Sequence, residues 1–120
     1  MIVFLLSCKL RMMKKVIQLE VFKKEIGEVP LDSREDLFSL IYRFLNNERM
    51  NPGDFKTFRI DKNTKIQEFK VRDARGNWRA ISCLHQNNYL VLVYAFHKKS
   101  QQLLEKDKEI IRKRIKGISL

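Results

Sequence analysis

The chain has 120 residues, 44% of them hydrophobic and 32% charged, and a domain of this length can bury a core without disulfides or metals. Lysine and arginine outnumber aspartate and glutamate by 25 to 14, a formal net charge of +11, which favours a polyanionic partner such as nucleic acid or an anionic membrane surface. No apolar run approaches the roughly 20 residues of a transmembrane helix, so we expect no membrane-spanning segment.

Cysteine and histidine are sparse and widely separated. Cys8 and Cys83 have no partner spacing, and His85 and His97 fit no zinc-binding pattern. Two free thiols are typical of a reducing compartment. We therefore expect a cytoplasmic protein with no metal and no cofactor.

The first twelve residues, MIVFLLSCKLRM, are interpreted as an extended or disordered leader before a single domain at 13–120. Leu5 to Cys8 resembles a lipoprotein cleavage box. However, no basic residue precedes the apolar run, and the run is shorter than in most secretory signals. Translation could also start at Met12 or Met13.

The segment Lys14–Phe22 is rich in β-branched residues and predicts a strand. Gly27 and Pro30 then break the chain. Asp32 or Ser33 is predicted to cap a helix that ends at Asn46–Asn47. Its apolar residues recur at helical spacing, and one stripe therefore faces a sheet: Leu37, Phe38, Leu40, Ile41, Phe44 and Leu45.

The segment Asp54–Asn63 is interpreted as a link to a meander of three strands within Lys65–Ser100. Turn-forming residues separate the strands: Gly76 and Asn77 after the first, Asn87 and Asn88 after the second. The last strand is apolar almost without a break, which is typical of a central strand covered on both faces.

A basic helix over Gln101–Lys116 is predicted to follow, with Gly117 at its C-terminal end. The element order is then β-α-β-β-β-α. This order predicts an α+β fold in which a small antiparallel or mixed sheet is packed by one amphipathic helix.

A charge cluster is predicted on the meander. Period-2 alternation places Glu68, Lys70 and Arg72 on one face of the first strand. This face could be the solvated side of an edge strand, where lysine is common. Arg79 lies across the first hairpin, and Lys98 and Lys99 end the third strand. These cations from neighbouring strands favour a functional cluster, although the side that Arg79 faces stays open.

Four further basic residues are candidate RNA-binding residues: Arg75, His97, Lys99 and Arg112. His97 could be a packing residue with an exposed tip or a proton-transfer group. The basic terminal helix could equally be a solvated face or a phosphate-binding surface.

Three motifs in order, EFKVRD at 68–73, GNWR at 76–79 and FHKKS at 96–100, resemble the RelE/HigB superfamily of toxin–antitoxin toxins, especially its phage-derived HigB-like branch. The resemblance runs from Lys14 to Lys116. It implies a RelE-like fold and an endoribonuclease that cuts mRNA in the ribosomal A site without a metal. It also implies a small antitoxin partner, often a helix-turn-helix protein.

The resemblance also implies roles for individual residues. Lys70 matches a lysine used in proton transfer, and Arg79 matches the hairpin arginine that holds the scissile phosphate. Lys98 matches a basic residue that follows the last strand. Glu68 stands where some members place an acidic base, and Arg72 matches an arginine that closes the first meander strand.

The resulting hypothesis assigns Glu68 or Lys70 as general base and Arg72 with Arg79 as phosphate clamps. Lys98 or His97 would be the general acid. Several relatives carry a tyrosine or histidine in the terminal segment, where this chain has Leu103–Leu104, so the acid is the open assignment. A non-catalytic nucleic-acid- or ribosome-binding protein, of phage or mobile-element origin, and a gyrase-directed toxin are the alternative functions.

Overall fold

The computed structural model describes residues 15–86, 88–98 and 102–119. Three helices and five strands follow one another along the chain. Their bounds are β1 Lys15–Gln18, α1 Glu20–Gly27, α2 Leu31–Leu45, β2 Phe55–Asp61, β3 Thr64–Asp73, β4 Gly76–His85, β5 Tyr89–Lys98 and α3 Glu105–Lys116.

The strands form one mixed sheet in the order β1-β5-β4-β3-β2. The pair β1–β5 is parallel, and the other three pairs are antiparallel. The predicted α+β class is confirmed. The prediction that the Tyr89 strand is central is also confirmed, because β5 has a neighbour on each side and its residues Leu90–Ala95 are buried.

The predicted element order is wrong at two places. The expected strand Lys14–Phe22 ends at Gln18, and α1 begins at Glu20 because Phe22 and Ile26, four residues apart, pack into the core as one helical face. The expected link Asp54–Asn63 contains β2, which pairs with β3 as an edge strand.

The predicted amphipathic helix is α2, and it buries Leu37, Leu40 and Ile41 against the sheet. The predicted cap is wrong, because the helix begins at Leu31 and Pro30 occupies the N-cap position without a side-chain bond. Ser33 instead donates its hydroxyl to Asp73 in the β3–β4 turn. This bond joins the start of the helix to the meander.

The sheet has a core on each face. The first, here called the α1/α2 face, is covered by those two helices; its buried residues include Phe22, Leu37, Ile41, Phe69, Ala80, Leu92 and Ala95. The second, here called the α3 face, is covered in part by the terminal helix; its buried residues are Ile66, Ile81, Cys83, Val91, Val93, Tyr94 and Ile111.

An irregularity in the β4–β5 pairing changes which residues of β5 share a face. The register shifts between Ile81, which lies opposite Tyr94, and Ser82, which lies opposite Leu92. Val93 and Tyr94 therefore both contact the α3 face. Beyond this bulge Phe96 and Lys98 lie on the α3 face, whereas Ala95 and His97 lie on the α1/α2 face.

Within the described part of the chain, no strand pairs with the outer edge of β5 beyond Leu92, the last residue opposite β1. Two charged side chains fill this edge. Glu25 of α1 accepts the Ala95 backbone N–H, and Arg114 of α3 donates to the Val93 carbonyl oxygen. The two also form a bidentate ion pair at 2.8 and 2.9 Å, which ties both helices to the strand.

The terminal helix is shorter than predicted, because it begins at Glu105 and not at Gln101, a residue outside the described ranges. Gly117 follows it as predicted and donates its N–H to the carbonyls of Lys113 and Arg114. Cys83 is a free, buried thiol. The predicted leader at 1–12 and Cys8 lie outside the described residues. Within the described ranges, no helix is long and apolar enough to cross a membrane.

Gly76 is the position where the fold requires glycine. Its φ is +148°, and a Cβ there would lie 2.0 Å from Nε2 of His97. We expect Gly76→Ala to lower the free energy of unfolding by about 1–3 kcal/mol from backbone strain alone, with a further loss as the His97 ring is displaced from Trp78. Urea titration followed by circular dichroism measures the effect.

The control is Gly53→Ala, because a Cβ at Gly53 meets only Asn51 Oδ1 at an ordinary 3.6 Å. This variant should unfold within about 0.5 kcal/mol of the wild type. Removing the ring in Gly76→Ala/His97→Ala should restore part of the lost stability. Equal urea midpoints for Gly76→Ala and the wild type would contradict the strain argument.

Candidate functional site

The alternation of β3 produces a charged patch on the α3 face. Phe69 is buried on the α1/α2 face, so its neighbours Glu68 and Lys70 project to the opposite side, and Arg72 follows Lys70 by two residues. Arg72 is held in place by a hydrogen bond of 2.9 Å from its Nε to Oδ1 of Asn77. These three side chains share a face, as the alternation predicts.

Arg79 lies on the same face. It stands directly opposite Lys70 in the antiparallel β3–β4 pair, and opposed residues project to the same side of a sheet. Lys98 joins them from β5, where it lies opposite Asn77. The register therefore brings together five residues assigned to the site from the sequence: Glu68, Lys70, Arg72, Arg79 and Lys98.

Glu68 is the buried centre of this patch. Its carboxylate is 3% exposed, and Oε2 lies 3.6 Å from both Arg79 Nε and Lys98 Nζ. Oε1 lies 3.8 Å from Nζ of Lys56, a half-exposed residue of β2. We name Lys56, Glu68, Lys70, Arg72, Arg79 and Lys98 the cation cluster: in the described part of the chain it sets five cations against one carboxylate.

The ion pairs at the centre are long, and buried atoms are left without hydrogen bonds. At 3.6 Å, the Arg79–Glu68 contact exceeds the 2.7–2.9 Å of a charge-assisted bond. Among the described residues, Arg79 Nε and Nη1 and Glu68 Oε2 are buried and have no hydrogen-bond partner. Such groups are rare in folded proteins and costly. Two guanidinium donors at this position therefore have unused hydrogen-bonding capacity next to the Glu68 carboxylate.

Burial also changes the proton affinity of the two cations. It lowers the pKa of Lys98, and Arg79 and Lys56 lower it further, whereas Glu68 opposes the shift. Burial likewise lowers the pKa of Arg79, with Glu68 opposing and Arg72 adding to the shift. Arginine stays charged regardless. Lys98 is thus the cation of this pair that can exchange a proton.

Arg75, a predicted RNA-binding residue, is occupied by ion pairs within the fold. Its guanidinium donates to Asp73 at 2.8 Å and to Asp32 at 2.6 Å. The Ser33 hydroxyl, followed by Arg75, holds the pKa of Asp73 well below its ordinary value. Arg75 therefore stabilises the β3–β4 turn and its contact with α2.

Arg112 is occupied in a similar way. It donates from Nε to Asp61 at 2.8 Å and from Nη1 to Glu109 at 2.5 Å. These bonds fix α3 to the β2–β3 turn, at a distance along the sheet from the cation cluster. The structure therefore assigns Arg112 a scaffold contact.

His97 lies on the other side of the sheet from Lys98. Its exposed ring packs against Trp78 with the ring planes tilted by 33° and the centroids 4.6 Å apart, and Trp78 packs on the α1/α2 face. The hypothesis that His97 supplies the acid within the cluster therefore has no geometric support. Lys99, the remaining predicted RNA-binding residue, lies outside the described residues.

Two contributors were missed in the sequence. Lys56 escapes sequence reasoning because the segment that forms β2 predicts a link; the one strand signal in it is the alternation of Phe58 and Ile60. Asn77 was interpreted only as a turn residue, but it orients Arg72. As for metals, the described residues contain no group of three or more potential ligands from histidine, cysteine, aspartate and glutamate.

Comparison with known proteins gives a match to a family model and a likeness in fold to a solved structure. A family model described as "Phage derived protein Gp49-like (DUF891)" matches residues 24–116. The fold is similar to that of the E. coli toxin RelE, solved in the free state as a mutant with two arginine-to-alanine substitutions. The TM-score is 0.59 at 13% identity, covering 86% of this chain and 98% of that chain.

No curated protein sequence matches this chain significantly. The family model covers most of the chain, and the TM-score shows a likeness that, at 13% identity, concerns the fold alone. Both agree with the resemblance to the RelE/HigB superfamily. The chain therefore belongs to the phage-derived Gp49-like family and has the fold of the RelE toxin.

Proposed function

We propose that the protein is the toxin of a toxin–antitoxin system and cleaves mRNA on the ribosome in the cytoplasm, without a metal ion. A small antitoxin, of helix-turn-helix type, would neutralise it. The observation that carries the proposal is Arg79, whose buried Nε and Nη1 have no hydrogen-bond partner in the described structure. A phosphate offers oxygens in the planar, bidentate geometry that a guanidinium matches.

The cation cluster contains the groups that metal-free RNA cleavage needs. Glu68 takes the proton of the 2′-hydroxyl as the 2′-oxygen attacks phosphorus. The bond from phosphorus to the 5′-oxygen breaks, and Lys98 gives that oxygen a proton. The products are a 2′,3′-cyclic phosphate and a 5′-hydroxyl. Arg79 and Arg72 bind the phosphate oxygens, where the transition state accumulates negative charge.

Glu68 is favoured over Lys70 as the base by its position. Its carboxylate lies 3.6 Å from both Arg79 and Lys98, so a phosphate held by Arg79 has the base and the acid beside it. Lys70 is directly opposite Arg79 on the neighbouring strand and is assigned to the substrate backbone.

The proposed acid predicts a pH dependence. Because the pKa of Lys98 is lowered by burial, the rate should fall on the alkaline side with a midpoint below the roughly 10.4 of a free lysine. In Lys98→Arg the side chain stays protonated. This variant should cleave about 10²–10⁴-fold more slowly and lose the alkaline fall. Single-turnover rates between pH 6 and 10 measure both effects.

The matched control is Lys113→Arg, the same change at an exposed position of α3. Its rate and its alkaline midpoint should equal those of the wild type. An unchanged alkaline fall in Lys98→Arg would show that another group supplies the proton.

The function itself is tested by primer extension on mRNA from a cell-free translation reaction, with and without the purified protein. Free RNA is run alongside. Cuts that appear only on translated message and keep register with codons support a ribosome-dependent nuclease. If the folded protein makes no cuts, the proposal fails; salt-sensitive binding of intact nucleic acid then indicates a binding module, and DNA damage without mRNA cleavage indicates a gyrase-directed toxin.

A further inference from the structure

A cleft opens beside the cation cluster, between the end of β5 and the start of α3. Its volume is about 250 Å³, below the roughly 300–1,000 Å³ of drug-sized pockets, so it suits one aromatic ring system. The residues that matter to its chemistry are Tyr94, Phe96, Lys98, Leu104, Lys106 and Asp107.

One wall of the cleft is a rigid aromatic surface. Phe96 is half-buried and stacks on Tyr94 with centroids 4.5 Å apart and planes 13° from parallel. Tyr94 is fixed in turn, because its hydroxyl donates to Asp107 at 2.8 Å and the Arg114 guanidinium lies 4.9 Å from its ring centroid. One face of the Phe96 ring therefore packs on a side chain that is itself fixed by two contacts.

The cleft is continuous with the proposed phosphate site. Phe96 lies directly opposite Arg79 in the β4–β5 pair, on the same face. Lys98 belongs both to the cleft lining and to the cation cluster, and Lys106 adds a cation at the rim. An aromatic platform beside a cationic groove is the arrangement by which proteins hold single-stranded nucleic acid.

We propose that this cleft is a nucleobase subsite, in which one base of the RNA strand stacks on Phe96 while the adjacent phosphate is bound by Arg79 and Lys98. Leu104 closes the cleft on its apolar side. The inference deepens the proposed function and rests on it, since it takes single-stranded RNA as the ligand. The alternative role for Phe96 is to complete the core of the α3 face.

The test is the binding of a short, non-cleavable 2′-O-methyl RNA, followed by fluorescence anisotropy. Phe96→Leu keeps an apolar side chain but removes the stacking surface, and Phe96→Trp restores an aromatic surface. Stacking contributes about 1–3 kcal/mol per base. Converted to a dissociation constant, this energy predicts that Phe96→Leu binds the RNA about 5- to 150-fold more weakly. Phe96→Trp should bind the RNA within about threefold of the wild-type affinity, because tryptophan also offers an aromatic surface for stacking. The control Phe38→Leu, on α2 behind the sheet, should bind as the wild type does.

A second arm separates stacking from a structural role. The same RNA is prepared with an abasic sugar at each position in turn. If a base stacks on Phe96, one abasic position weakens binding to the wild type and leaves binding to Phe96→Leu unchanged. Equal losses in both proteins at every position, or wild-type affinity of Phe96→Leu, would overturn the subsite.

The failure of the subsite and the failure of the nuclease proposal are distinguishable. We call the loss of affinity at one abasic position in the wild type, but not in Phe96→Leu, the abasic coupling. If the protein cuts translated mRNA but shows no abasic coupling, the subsite alone is refuted. The abasic coupling without cleavage supports the subsite and removes the catalytic role. A folded wild-type protein that neither binds the short RNA nor cuts translated mRNA overturns both.

Discussion

Replacing Arg79 with lysine is expected to slow mRNA cleavage about 10²–10³-fold while the protein remains folded. The loss follows from geometry, since lysine keeps the positive charge beside Glu68 but cannot present two coplanar donors to the phosphate. Primer extension over a time course of translation measures the rate, and thermal melting checks the fold. Lysine is preferred to alanine because Arg79→Ala would leave the buried Glu68 with fewer counterions and destabilise the chain.

The matched control for this prediction is Arg49→Lys, the same change at an exposed position in the α2–β2 loop. Its cleavage rate should equal that of the wild type. Retention of more than about a tenth of the wild-type rate by Arg79→Lys would refute the clamp, because an oxyanion donor is worth more than that.

Replacing Glu68 with glutamine is expected to separate binding from catalysis. Cleavage should fall about 10²–10⁴-fold, the contribution of a positioned base. Affinity for the non-cleavable RNA should rise, because the carboxylate that competes with phosphate for Arg79 and Lys98 is gone. Single-turnover rates and anisotropy titrations at fixed salt measure the two effects.

Glu68→Gln should also melt at a lower temperature, since two buried cations lose their counterion, a change that can cost up to about 3–5 kcal/mol. Bound RNA should recover much of that loss, because it stabilises the state it binds. Glu35→Gln, an exposed carboxamide substitution on α2, is the control for all three measurements. Weaker RNA binding by Glu68→Gln would refute the role of Glu68 as a competitor of the phosphate.

The sequence could predict the elements with strong local patterns. The stripe from Leu37 to Leu45 defined α2, and the apolar run from Tyr89 defined the central strand. It could not separate β1 from α1, because a short run such as VIQLEVF fits a strand or a helix equally well. Only the packing of Phe22 and Ile26 against the sheet decides for the helix.

The sequence could predict only the part of the candidate site that lies on a single strand, β3. Alternation is enough to group Glu68, Lys70 and Arg72. Placing Arg79 and Lys98 on the same face requires the registers between strands. The bulge opposite Ile81 also exchanges which residues of β5, odd-numbered or even-numbered, lie on the α3 face. Extrapolating from Val91 and Val93 would have placed His97, and not Lys98, in the cluster.

The partners of Arg75 and Arg112 were also beyond the sequence. Both are cations in a strongly basic chain, and composition alone cannot distinguish a cation that binds a polyanion from one that is paired within the fold. Their carboxylate partners Asp32 and Asp61 are 43 and 51 residues away. Only the folded structure shows which cations are already neutralised.

The Glu25–Arg114 pair has a consequence for the order of folding. It joins residues 89 positions apart, whereas the ion pairs of the cation cluster join residues at most 30 positions apart on consecutive hairpins. Contacts between residues close in sequence form faster than contacts between distant ones, so the meander can assemble the cation cluster before Glu25 and Arg114 cover the edge of β5. During synthesis the Glu25–Arg114 pair cannot form until Arg114 has left the ribosome. Until then the unpaired edge of β5 is a template for intermolecular strand pairing, and the last turns of the chain therefore govern how long the nascent protein is exposed to aggregation.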